Sequence, residues 1–111
     1  MTTLATLAPE FASEVASALT AKGQPALVAQ LSTEHIERCM YDPRHDAGYI
    51  CLSRSRPIPN LVRPVDPIAR TLFFLSDGGF NIDVSGDGRL LGIEFVGHGD
   101  LVRSLREANA L

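Results

Sequence analysis

Apolar and polar positions change period twice along this chain, from helical to alternating and back. Over residues 8–22, Phe11, Val15 and Leu19 recur at i, i+4 and i+8, which predicts a helix with one apolar stripe. Pro9 suits the first helical position, where its missing N–H costs nothing, and Glu10 complements the positive end of the helix dipole. Gly23 is the stop. A second short helix is predicted over 25–31, with Leu27, Val28 and Leu31 apolar. From residue 35 to 95 the period is two. Ile36 and Met40 alternate with polar residues, Asp42-Pro43 opens a type I turn, and residues 47–53 return as the second strand of a hairpin.

Residues 71–75 predict a short strand, and Ser76-Asp77-Gly78-Gly79 a turn. Residues 80–85 and 89–96 predict a second hairpin around Gly86-Asp87-Gly88, because glycine takes the positive φ that tight hairpin turns require. Gly97-His98-Gly99 ends the strand, with His45 and His98 both read as exposed. Asp100 is the expected N-cap of a last helix with Leu101, Val102, Leu105 and Ala108 on one face. The predicted fold is α+β: a small antiparallel β-meander flanked by N-terminal helices and a short C-terminal helix. Residues 1–33 read as an N-terminal helical extension and 34–111 as the β-meander domain with its helix. A chain of 111 residues makes one such domain and buries roughly two thirds of its unfolded surface.

The stretch 53–70 has a different composition. It holds Arg54, Arg56, Arg63 and Arg70, four prolines and one acid, Asp66. Its net charge of +3 leaves −6 for the rest of the chain. Proline cannot donate to a sheet ladder, so an extended loop or edge segment is predicted. The stretch reads either as a solvated connector or as a partner-binding segment. Extended proline-rich backbone loses little entropy on binding, and the four arginines are the candidate partner-binding residues.

Charge and the remaining composition narrow the function classes. A net charge of −3 argues against nonspecific nucleic-acid binding. The helix–glycine–helix pattern near the N-terminus resembles a DNA-reading unit, but neither helix carries an arginine for phosphate contacts. The first twenty residues lack a basic start, and no apolar run approaches the roughly 20 residues that span a bilayer, so a cytoplasmic location without membrane contact is expected. Cys39 and Cys51 then read as reduced, buried thiols; their spacing matches no zinc pattern.

The runs Tyr41-Asp42-Pro43, Asp46-Ala47, Tyr49-Ile50 and Leu52, followed by Ile82-Asp83, Asp87-Gly88 and Leu91-Gly92-Ile93-Glu94, resemble the opening and closing motifs of the bacterial domain of unknown function numbered 2283. The resemblance covers about residues 36–99 and agrees in motif order and internal spacing. The link between the motifs is longer here, and the N-terminal helical region falls outside the domain. The resemblance implies a small, mainly antiparallel domain of a cytoplasmic bacterial protein, and supplies no catalytic residues. Some members look like partners in small two-gene modules of toxin–antitoxin type.

Two acidic groups could carry chemistry. Asp83, Ser85, Asp87 and Glu94 fall at positions 1, 3, 5 and 12 of a calcium-loop spacing, with Gly88 at 6. An EF-hand needs flanking helices, whereas these residues lie in a predicted hairpin that accounts for each of them, with Asp83 and Ser85 alternating outward. Asp42, Asp46, Asp83 and Glu94 could perform acid–base work or hold a metal if one cleft held them; turn capping is the alternative for Asp42 and Asp46. No Gly-rich phosphate loop, nucleophile elbow or Cys–His dyad occurs, and no cofactor is expected. The chain therefore reads as a small non-enzymatic binding or regulatory protein with a protein partner. The alternatives are an antitoxin-like member of a two-gene module and a carboxylate-based metal-dependent enzyme. A homodimer is expected, because a small meander leaves edge strands to cover and the stripe of the 8–22 helix faces few strongly polar residues.

Overall fold

Among the residues described by the computed structural model, 2–52 and 68–111, five helices and five strands follow one another. Helix α1 (Leu4–Leu7) is one turn capped by the Thr3 side chain. Helix α2 (Pro9–Ala21) starts at Pro9 as its sequence dictates. It ends in a Schellman arrangement: Gly23 takes φ 68°, its N–H reaches Thr20 O, and Gln24 N–H reaches Leu19 O. Helix α3 is Pro25–Thr33. Strands β1 (Ile36–Asp42) and β2 (Ala47–Leu52) form the first hairpin. Strand β3 (Ile68–Phe73), the single-turn helix α4 (Leu75–Gly78), and strands β4 (Phe80–Ser85) and β5 (Leu90–Val96) follow, and helix α5 (Gly99–Glu107) closes the chain.

The sheet is antiparallel throughout, in the order β1-β2-β5-β4-β3. The first hairpin thus joins the β3–β4–β5 meander along β2 and β5, and the architecture is α+β. Register sets two faces. Cys39, Ile50, Ile93, Ile82 and Leu72 form one row across all five strands. Together with the Phe95–Phe80 pair they pack on Leu4, Phe11, Val15, Leu19, Leu27 and Leu31 of the first three helices. The stripe of α2 that suggested an intermolecular contact is therefore covered within the chain. The opposite face carries two rows: Met40, Tyr49, Glu94, Asn81 and Phe73; and Arg38, Cys51, Gly92, Asp83 and Thr71.

Several local expectations change. The predicted turn at 76–79 winds into α4, because Gly79 at φ 72° supplies the left-handed stop that closes a helical turn. Strand β3 begins at Ile68, so Arg70 lies in a strand rather than in a loop. The N-cap of α5 is His98, itself left-handed at φ 58°, and Asp100 sits in the first turn, paired with Arg103. Ala108 ends α5 exposed rather than on its buried face. Asp83 and Ser85 do point away from the helices, yet both are buried. The remainder of the predicted Arg/Pro segment, with Arg54, Arg56 and Arg63, lies outside the described residues.

Candidate functional site

Asp83 and Glu94 of the second motif sit on the sheet face opposite the helices, and side chains of the sheet bond to both. Asp83 is 4% exposed. It accepts hydrogen bonds from Tyr49 Oη (2.7 Å to Oδ2) and Thr71 Oγ1 (2.8 Å to Oδ1), one from each side. Glu94 accepts from Asn81 Nδ2 at 3.1 Å, and Asn81 Oδ1 in turn accepts the Phe74 N–H. At the hairpin tip, Ser85 Oγ donates to Asp87, the Arg89 N–H donates to Ser85 Oγ, and Arg89 Nε lies 3.1 Å from Asp87 Oδ2. Those contacts, the Ser85 bond above all, hold the Asp87 carboxyl below its ordinary value. Asp83, Ser85, Asp87 and Glu94 do not converge on a point. Asp87 belongs to the turn, and Glu94 lies on another strand, two positions past the residue facing Asp83. Among the described residues no group of His, Cys, Asp and Glu has the arrangement of a metal centre.

Asp42 and Asp46 organise the other hairpin. Asp42 accepts from the Arg44 N–H (2.9 Å) and from His45 Nδ1 (2.7 Å), an Asx-type turn that holds its carboxyl below the ordinary value, the His45 bond first among the causes. Asp46, left-handed at φ 49°, accepts from Tyr41 Oη at 2.6 Å, and that bond pushes the Tyr41 phenol up. Asp42 and Asp46 thus belong to a turn, apart from Asp83. Asp42 and Glu94 do border one open depression of about 320 Å³, together with Met40 and Tyr49.

The cysteines occupy opposite faces of adjacent strands. Burial, followed by the neighbouring Cys51, pushes the Cys39 thiol up to about 12. Burial also raises Cys51, against the pull of Arg38. Both remain protonated at neutral pH, the state of an inert packing thiol. His45 is exposed, as its sequence context implies, but His98 is half-buried. Its Nε2–H donates to Gly78 O at 2.6 Å, its ring meets Phe11 edge-on at 4.8 Å, and Nδ1 lies 3.8 Å from Glu14 Oε2. The flanking glycines conceal this role, because the partners come from α2 and α4.

Of the four candidate arginines, Arg70 is described. It is exposed on β3, and its Nη2 donates to Gln24 Oε1 at 3.1 Å. No carboxylate is paired with it among the described residues. Among the described residues strand β3 bonds to β4 on one side and is an edge strand. Phe73, three residues on, is 74% exposed, and Leu75 is exposed beside it. The other edge differs: Thr3 bridges His35, and the Ile36 N–H donates to Thr2 O at 2.8 Å, so the N-terminal segment covers the start of β1. Comparison of the chain with protein-family models, curated proteins and solved structures gives no match.

Proposed function

We propose that this chain is a small non-enzymatic binding or regulatory protein that acts by contacting a protein partner through the β3 edge and the arginines before it. The observation that carries this reading is Arg70: an exposed guanidinium on an edge strand, bonded to the neutral Gln24 amide, with the exposed Phe73 ring three residues on along the same strand. Arginine and aromatic side chains supply the anchor contacts of protein interfaces, and an edge strand offers backbone groups for pairing. The acids support the same reading from the other direction. Asp42, Asp46, Asp83, Asp87 and Glu94 each hold a turn or a strand pair through the bonds described above. The resemblance to the domain family numbered 2283 suggests the setting, a cytoplasmic bacterial protein of the two-gene, antitoxin-like kind.

The test is co-purification from the native host with a tagged full chain. Replacing Arg54, Arg56, Arg63 and Arg70 by alanine is expected to abolish recovery of the partner while leaving the melting temperature unchanged. Undiminished recovery would remove the arginines from the contact and with them this reading.

A further inference from the structure

We propose that the edge of β3 takes an extended, acidic segment of the protein partner as an additional strand, with a partner carboxylate on Arg70 and an apolar partner residue on Phe73. The inference rests on the protein-binding reading above and specifies the partner's chemistry.

An edge strand presents a row of N–H and C=O groups away from its neighbour, and β-strand addition satisfies them with a partner's main chain. Strand β3 runs for six residues with a register shift between Ile68 and Arg70, so its regular ladder is the stretch from Arg70 to Phe73. On the opposite edge, Thr2 and Thr3 already occupy the start of β1.

Arg70 is exposed, and among the described residues its polar side-chain contact is to a neutral amide. The stretch 53–70 that contains it carries a net +3. A guanidinium in that situation gains a charge-assisted, planar contact from a carboxylate and nothing comparable from a neutral group. A second copy of the chain does not supply one here, because β3 contains no acid and two copies of β3 laid side by side bring none to Arg70.

Arg70 reaches Gln24, in the connection between α2 and α3, and so lies on the helix side. Phe73 shares its row with Asn81 and Glu94 on the other face. Residues three apart on a strand point to opposite faces. An antiparallel partner strand that satisfies both must carry an apolar residue opposite Phe73 and an acid three positions later, opposite Arg70. Phe73 is 74% exposed, so covering it removes aromatic surface from water, the usual source of affinity at the centre of such a contact.

The probe is a synthetic β-prone peptide of about eight residues, a typical strand length, with a leucine followed three positions later by a glutamate. A matched peptide carries lysine in place of the glutamate. Both are titrated into the full chain and followed by amide hydrogen exchange. The glutamate peptide is expected to slow exchange at residues 70–73 and to leave β1 unchanged. The lysine peptide should bind at least about tenfold more weakly, Arg70→Glu should reverse that preference, and Phe73→Ser should weaken both. Equal affinity for the two peptides, or protection away from β3, would overturn the proposal. Concentration-dependent protection of 70–73 without peptide, together with a dimer in light scattering, would overturn it in favour of a second copy. Loss of co-purification in the four-arginine variant combined with no peptide binding at β3 leaves the protein-binding reading standing and removes strand addition.

Discussion

Tyr49 reaches over Gly92 to bond Asp83. The two side chains stand on β2 and β4, with β5 between them, and the phenol bridges that gap at 2.7 Å. Gly92 lies directly opposite Asp83, and a Cβ there would collide with the Tyr49 hydroxyl and ring. Gly48 plays the matching part on the helix side, where a Cβ would meet the Phe95 ring and Met40 O. Each glycine makes room for an aromatic ring from the neighbouring strand, one on each face.

Gly92→Ala is therefore expected to destabilise the fold by about 1–3 kcal/mol, the cost of overpacking. Tyr49→Phe takes one donor from a buried carboxylate and is expected to cost about 1–3 kcal/mol. In urea unfolding the two should be markedly non-additive, because the first change already displaces the group removed by the second. Simple additivity would mean that ring and glycine act separately.

Gly88 provides the contrast. No described residue stands within 4 Å of a Cβ built there, but its φ is 83°. Gly88→Ala is expected to cost about 1–2 kcal/mol through backbone strain alone, and Gly88→Asn less, since asparagine tolerates that region. A Gly88→Asn cost equal to that of alanine would show that strain is not the cause.

Gln30 clamps α3 to the second hairpin: Nε2 donates to Gly88 O at 3.0 Å, and Oε1 accepts the Leu90 N–H at 2.7 Å. Gln30→Leu is expected to lower stability by about 1–3 kcal/mol and to speed amide exchange at Leu90. Unchanged exchange there would show that the clamp is dispensable.

Millimolar calcium is expected to leave the melting temperature unchanged, and Glu94→Gln to be tolerated, since an amide oxygen still accepts from Asn81. A calcium-dependent rise of about 10 °C or more that Glu94→Gln abolishes would show that Asp83, Ser85, Asp87 and Glu94 close around an ion.

The first hairpin carries a pH signature. The depressed Asp42 carboxyl contributes stability that is present above its unfolded pKa, about 3.9, and that is lost as pH falls through the folded value. NMR titration should place its midpoint below the ordinary range, and His45→Ala should return it towards that range. An Asp42 midpoint indifferent to His45 would assign the shift to the Arg44 amide.

Local chemistry made much of this legible. Pro9 and Gly23 mark the ends of α2, and the period-two runs around Asp42-Pro43 and Gly86-Asp87-Gly88 mark both hairpins, because caps and turns depend on residues only a few positions apart. The turn roles of Asp42 and Asp46 were legible for the same reason. Alternation also placed Asp83 and Ser85 on the face away from the helices, but it equated that face with solvent. Strand β4 lies inside the sheet and is buried along its whole length, a fact no single strand encodes.

By itself the sequence determined α2, α3, α5 and the two hairpins that tight turns join, though not α1, α4 or the start of β3, since neighbouring φ/ψ preferences and side-chain periods act over a few residues. Only the tertiary structure decided that β2 lies against β5. That pairing brings Tyr49 to Asp83, Phe95 over Gly48, and leaves β3 with Arg70 and Phe73 at the edge. Such contacts join residues tens of positions apart. They form when the helices and the sheet close one shared apolar core, and the shape of that core selects which strands become neighbours.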